Sequence, residues 1–358
     1  MRFAFTEDQL ALREGAADVL RSLCTTDDVR AQLESRDPRS GRSHERWEAL
    51  SELGAVGLLA PEDRGGLGLS DVELVGVLEE AGRAALPEPL GIHAGVAIPL
   101  LAALRCTDEL TRAASGELVV SVGGVDVDPE GPVVAQFDGP ITSERVPASS
   151  RAGAFLLATA TAEGIELHLV PRAQTTIEPA PTLDPTRDLG TLTWMRDPAT
   201  LVAAGPEAAE LIDEICSRLA LVSAAELVGL STAMLEMTAT YAIDRQQFGK
   251  PIGSFQAVKH LLADVRIKLE FARPAVYRAA WAFGTADASR HHDAALAKAL
   301  ASQLGTDAAD TCLQVHGGIG YTWEHDLQLF MKRTWALASA AGDAATQRAR
   351  ALGLGLDL

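Results

Sequence analysis

The stretch Arg245-Gln-Gln-Phe-Gly-Lys-Pro-Ile-Gly-Ser-Phe-Gln256 sets a fixed cation, side-chain amides and an aromatic ring beside a backbone broken by Gly249, Pro251 and Gly253. Glycine and proline sit poorly inside helices, so the chain turns here and leaves amide groups free. That set suits a nucleotide: the Arg245 guanidinium and backbone N–H groups for pyrophosphate, Phe248 with Gln247 and Gln256 for the adenosine part. A helix-helix loop whose arginine merely caps the preceding helix is the competing reading. A second stretch, Gln314-Val-His-Gly-Gly-Ile-Gly-Tyr321, ends a helical run with Gly317, Gly318 and Gly320, where a backbone can approach a ligand closely.

Two amphipathic helices must position the first stretch. Leu227, Leu230, Met234, Met237 and Tyr241 recur in steps of three and four before it, and Val258, Leu261, Val265 and Leu269 do so after it. Together the two stretches resemble the acyl-CoA dehydrogenase family, which carries Arg-x-x-Phe-Gly and Gln-x-x-Gly-Gly-x-Gly-Tyr elements in a C-terminal helical domain. The resemblance implies FAD as cofactor, with Arg245, Gln247, Phe248, Ile252, Phe255, Gln256, Gln314, Gly317 and Gly318 around it.

Length and composition set outer limits. A chain of 358 residues exceeds one typical core, and 47% apolar with 5% aromatic content fits a mainly helical protein. No uninterrupted apolar run reaches membrane-spanning length and the N-terminus is acidic, so a cytoplasmic protein without a membrane span is expected. A formal net charge of −18 argues against nucleic acid as partner. Cys24, Cys106, Cys216 and Cys312 are scattered without a C-x-x-C pair, which points to buried thiols rather than a metal site.

In chain order, residues 5 to 35 read as one helix capped by Thr6, followed by a polar loop over 36–43 and a helix around Trp47 and Leu50. Ser70 and Glu73 form a capping box for a helix carrying Leu74, Val77 and Leu78. Short β-rich runs follow at 117–123, 131–136, 155–159, 165–170 and 191–194, spaced for a small antiparallel barrel or sandwich. Helical patterning resumes after Pro206. The layout is an N-terminal helical domain (1–115), a middle β domain (116–198) and a C-terminal four-helix bundle (199–358), mainly α with a small β domain, as in the family. The middle third matches least: Val120-Ser-Val-Gly-Gly-Val-Asp126 stands where flavin-binding segments fall, and Asp184-Pro-Thr-Arg187 is similar to the segment leading into the domain's last strand.

Family chemistry removes an α-proton from an acyl-CoA thioester while hydride leaves the β-carbon for the flavin, so a carboxylate must face the α-carbon. Aligned on the family motifs, the two places where members keep that glutamate hold Ala341 and Leu219 here, and neither takes a proton. Three substitutes are weighed. Glu226 lies on the face of Leu219 but two turns, about 10 Å, along the helix. Asp343 is two residues past Ala341, and Glu214 points to another side of the helix.

The resemblance therefore implies the base-less subunit of a heteromeric acyl-CoA dehydrogenase, such as the actinobacterial enzymes of lipid or steroid catabolism. In the family's tetramers the Arg-x-x-Phe-Gly and Gln-x-x-Gly-Gly elements help hold a neighbour's FAD. The expected partner is a related subunit in a heterotetramer, or this chain itself. A self-sufficient homo-oligomer with a relocated base and a non-catalytic scaffold without flavin are the alternatives. Leu296, Leu300 and Leu304, then Leu327, Leu329, Phe330 and Met331, make apolar faces wider than one core needs, which fits assembly.

Overall fold

Thr6 and Gln9 close a capping box on the first helix of the computed structural model, which describes residues 5–35, 37, 40, 42–136 and 139–355. That helix, α1 (Glu7–Leu23), stops short of the single helix expected. Thr25 and Asp28 bond reciprocally, each accepting the other's N–H, and this box starts a separate α2 (Thr26–Ser35). The loop expected over 36–43 falls largely outside the described residues. Next come α3 (Ser43–Glu52) and α4 (Asp71–Arg83), the latter opened by the Ser70–Glu73 capping box. A short α5 (Leu90–Ile92) runs through a π turn into α6 (Ile98–Ala103), and α7 (Thr107–Ala114) completes the N-terminal helices.

The β region is two small sheets. Its strands are β1 (Val120–Gly123), β2 (Asp126–Asp128), β3 (Gly131–Val133), β4 (Ile141–Val146), β5 (Ala154–Thr161), β6 (Gly164–Pro171), β7 (Thr175–Pro179), β8 (Gly190–Trp194) and β9 (Leu201–Ala204). One sheet runs β1-β5-β6-β9, the other β4-β8-β7, and β2-β3 is a separate hairpin. The all-antiparallel expectation is corrected where β1 pairs parallel with β5, with β2 to β4 intervening as an excursion, and at an isolated parallel bridge between Gln136 and Ala160. Phe155, Leu157 and Val170 from the first sheet meet Ile141, Leu192 and Trp194 from the second in their own apolar core.

The C-terminal part holds α8 (Gly205–Asp244), a hairpin of β10 (Gln246–Gln247) and β11 (Lys250–Pro251), then α9 (Gln256–Gly284), α10 (Arg290–His316), α11 (Leu327–Ser339) and α12 (Ala344–Gly355). By length and composition α8 is apolar enough to cross a membrane, which corrects the sequence reading. It is a core helix here, enclosed by α4, α9, α10 and α11. A similar correction applies to α11: Leu327, Leu329, Phe330 and Met331 are all buried within the chain, while Leu296 and Leu300 of α10 stay part-exposed. Cys24, Cys216 and Cys312 are buried thiols, whereas Cys106 is only half-buried.

Two glycines set how the N-terminal helices meet the bundle. A Cβ on Gly229 of α8 would lie 2.0 Å from the Glu79 carbonyl oxygen, and one on Gly82 of α4 would lie 2.2 Å from that of Glu226. Backbone therefore rests on backbone at this crossing, and no side chain can yield to make room. Gly229→Ala is expected to lower stability by about 3 kcal/mol, the upper range for overpacking, read as a shift of the urea midpoint at unchanged slope.

Candidate functional site

Both sequence motifs lie at one end of the bundle. Arg245 terminates α8, with its N–H bonded to the Tyr241 carbonyl at 2.9 Å. Gly317 terminates α10 at φ 65°. The Tyr241 ring stacks on His316 with centroids 4.4 Å apart, which ties the two ends together.

The turn after Arg245 is tighter than a loop with free amides. Gln247 pairs with Lys250 across a two-residue hairpin whose centre, Phe248 and Gly249, has φ of 54° and 78°. The Ile252 N–H bonds back to the Arg245 carbonyl at 2.8 Å, so several amides expected to be free are used internally. The free donors come instead from the first turn of α9, which starts at Gln256 and has no side-chain cap. An uncapped helix N-terminus is a ready anion site.

Phe248 stands 92% exposed, edge-on to the half-buried Phe255 at 6.1 Å, and Lys250 lies 4.3 Å from the Phe255 ring centre. Arg245, Gln247, Gln256, Gln314, Gly317 and Gly318 are exposed, and Ile252 is half-buried. A Cβ at Gly249, Gly317 or Gly318 would touch nothing, so this chain leaves open space over all three. His316 adds a feature the sequence reading passed over. Its Nδ1 bonds the Cys312 carbonyl at 2.8 Å, and its buried Nε2 has no partner.

The second locus is a cavity of about 980 Å³ between α8, the β region and the α11–α12 connection. None of the motif residues above lines it. Leu219 and Ala341, the two positions where a base is expected, both do, and so do Glu226 and Asp343. Glu214 does not: Arg218 and Arg290 bind it elsewhere.

Among the six carboxylate residues on the cavity wall, Asp343 and Glu226 differ from each other. Asp343 accepts the Thr346 N–H at 2.8 Å as a cap of α12, and those bonds hold its carboxyl below the usual range. Glu226 makes no hydrogen bond or ion pair among the described residues, and burial pushes its carboxyl up despite Arg333 and Arg187 nearby. On electrostatics Glu226 is the better proton acceptor, although it lies about 10 Å along α8 from Leu219.

The cavity's glycines serve packing. A Cβ on Gly123 would lie 2.6 Å from Val146, and one on Gly124 2.3 Å from the Ala158 carbonyl oxygen. In Val120–Asp126, the run that matches the family least, these two glycines are taken up by strand packing, and the Ser121 hydroxyl is spent on the Pro147 carbonyl. The segment Asp184-Pro-Thr-Arg187 reaches the cavity wall through Arg187. Arg333 of α11 clamps it by bonding the Asp184 carboxylate, the Thr186 hydroxyl and the Leu86 carbonyl.

The loop at Ala341, one of the two positions where a base is expected, is held by side chains of α10 and α12. Ala341 and Gly342 have φ of 52° and 78°. Gln347 donates to the Ala341 carbonyl, and Lys298, buried in α10, donates to Gly342, Ala338 and Ser302. Burial pushes the Lys298 ammonium down to about 7. Sequence reasoning missed Lys298 and Arg333, and it noted Arg187 only as part of the segment leading into the domain's last strand; a lysine inside an alanine-rich helical run was the available signal for the first.

A helical N-terminal part, a two-sheet middle and a helical bundle framing an inner cavity define an acyl-CoA dehydrogenase fold. The family models agree: residues 6–117 match the acyl-CoA dehydrogenase N-terminal domain and residues 216–352 the C-terminal domain. Acyl-CoA dehydrogenase IpdE2 of Mycolicibacterium smegmatis is 32% identical over 338 residues, covering 94% of this chain and 95% of that protein. Acyl-CoA dehydrogenase FadE34 of Mycobacterium tuberculosis is 36% identical over 307 residues, 83% of this chain and 40% of that longer protein. Among solved structures, the ChsE4-ChsE5 complex from Mycobacterium tuberculosis has a chain that matches with TM-score 0.86 and 27% identity, covering 100% of this chain and 99% of that one. The chain belongs to the acyl-CoA dehydrogenase family, whose cofactor is FAD.

Lys298 gives a pH test of how the base loop is held. Its folded pKa lies below the unfolded value, so between about pH 7 and 10.5 the unfolded chain binds the extra proton and stability rises with pH. The stability of the native protein relative to Lys298→Met should therefore grow between pH 7 and 9, by at most about 1.4 kcal/mol per pH unit. Urea titrations of both proteins at the two pH values measure the difference.

Proposed function

We propose that this chain is the subunit without a catalytic base in a hetero-oligomeric acyl-CoA dehydrogenase acting on a lipid- or steroid-derived acyl-CoA. In this reading its outer face holds the nucleotide tail of an FAD whose ring lies in a related partner subunit. The observation that carries it is the apolar character of Leu219 and Ala341, both of which line this chain's own cavity. When bound, FAD supplies the hydride acceptor for α,β-dehydrogenation, and the proton acceptor comes from the partner.

The chain's own residues have defined tasks. Arg245 and the first-turn amides of α9 meet the pyrophosphate charge. Phe248, Gln247 and Gln314 flank the adenosine part, Ile252 and Phe255 support the hairpin, and open space over Gly317 and Gly318 admits the ligand. Helix geometry supports sharing between chains: 26 residues of α8 separate Leu219 from Arg245, about 39 Å at 1.5 Å per residue. The solved ChsE4-ChsE5 complex and a solved variant of the Tcur3481-Tcur3483 steroid ACAD, 25% identical with TM-score 0.84, are consistent with a paired assembly.

A second reading, a self-sufficient enzyme using Glu226, is favoured by that group's raised pKa and its place on the cavity wall. Its two-turn offset from Leu219 weighs against it. Co-expression with a base-bearing relative separates the readings. The mixed assembly should bind FAD and form enoyl-CoA, the partner's glutamate variant should stop turnover, and Glu226→Gln in this chain should leave it intact. Full activity of this chain alone rejects the proposal. A yellow preparation with flavin absorption bands removes a third reading, a flavin-free scaffold.

The partner surface has its own test. Ile267 and Phe271, one turn apart on α9, are 54% and 73% exposed and together offer an apolar pair for a partner to cover. Phe271→Asp should weaken assembly at least about tenfold, the weight of one buried aromatic contact, seen by sedimentation as a larger monomer fraction with unchanged helical signal.

A further inference from the structure

The cavity floor contains two opposite charges that do not satisfy each other. Arg187 makes one side-chain hydrogen bond, from Nη1 to the Ala336 carbonyl at 3.1 Å, and no ion pair among the described residues. The Glu226 carboxylate packs over Gly91, where a Cβ would lie 2.6 Å from Oε1, and it too lacks a partner. Both line the cavity, and neither comes within 4.0 Å of the other's charged atoms as an ion pair. Arg333 makes no ion pair with Glu226, being bonded to Asp184, Thr186 and Leu86, although its charge favours the Glu226 carboxylate. Above this floor the walls include Leu219, Val222 and Leu337.

We propose that this cavity binds a carboxylic acid end-on, its head group bridging Arg187 and Glu226 and its apolar body lying along Leu219, Val222 and Leu337. The planar guanidinium presents paired N–H donors that match a carboxyl group, whereas an alcohol takes only one of them. The charged groups decide the proton. Arg187, Arg333 and Asp184 act on Glu226, with Lys298 beyond Arg187. The rest of the lining sets Arg145 and Arg151 against Glu88, Asp126, Glu144, Asp188 and Asp343, so carboxylates already outnumber the arginines on the wall. A carboxylate added to that set brings one negative charge too many in a space where an uncompensated charge is expensive. It therefore enters with a proton, which the ligand and Glu226 hold between them. An acid whose body is an acyl chain or ring thus occupies in this subunit the space where a catalytic subunit would hold its thioester.

The test is calorimetric titration of hexanoate into the purified full-length chain at pH 7.5, in HEPES and in Tris, whose different ionisation enthalpies reveal proton uptake. Saturable binding with a proton taken up is expected, and hexanol should bind at least about tenfold more weakly, since it forgoes a charge-assisted hydrogen bond. Glu226→Gln should keep binding, because its amide can donate to the carboxylate, but lose the proton uptake. Arg187→Met should lose binding, with its melting curve showing that the fold persists. Equal affinity for hexanol and hexanoate, or binding indifferent to Arg187→Met, overturns the proposal, as does absence of saturable binding to the unmodified chain. No flavin or turnover is needed, so failure here leaves the subunit assignment standing, and the FAD assay of the mixed assembly does not bear on this site.

Discussion

The contact of bare backbone on bare backbone where α4 crosses α8 is the constraint from which the rest of the geometry follows. Gly82 and Gly229 allow the approach, and each faces a carbonyl of the opposite helix, that of Glu226 and that of Glu79 respectively. The crossing brings the N-terminal helices against the bundle and sets the depth at which Glu226 meets the cavity. Gly91 and Gly95 extend the same close packing, with Glu226 and Val222 filling the space their missing side chains leave. A helix pair held this way has little freedom to slide, since any rotation drives backbone into backbone.

The long α8 then separates two environments. On one side a cavity with both apolar and charged walls is assembled from residues of α8, the β region and α11. On the other, an exposed arginine, a tight hairpin with an aromatic at its tip and an uncapped helix start face outward. Conformational strain is present at both. Phe248 and Ala341 each adopt left-handed backbone without being glycine, at φ 54° and 52°. In the first case the hairpin enforces it, and in the second Lys298 and Gln347 grip the flanking carbonyls.

How much of this could be read from the residues depended on locality. The hairpin stretch and the Gln314–Tyr321 stretch each carry their pattern within a dozen residues, so glycine, proline and arginine spacing was enough to mark them. The N-cap at Thr6 and the capping box at Ser70 were legible for the same reason. The cavity was not, because Arg187, Glu226, Arg333 and Ala341 come from four segments that only the folded chain unites. Strands β2, β4, β7 and β9 escaped notice as well, being short, or polar on their outward faces, like Thr175-Thr-Ile-Glu-Pro179. The apolar residues of α11 were misread as a surface because periodicity describes a stripe but not what covers it.

The span of α8 carries a consequence for loading. If ring and tail of one cofactor are gripped by different polypeptides, occupancy depends on subunit concentration as well as on cofactor concentration. Dilution then strips the prosthetic group by separating its holders rather than by weakening either grip, and mass action couples flavin retention to quaternary structure. A protein built this way is sensitive to imbalance in the supply of its two chains, since the excess one is left with a nucleotide clamp and nothing to close it on.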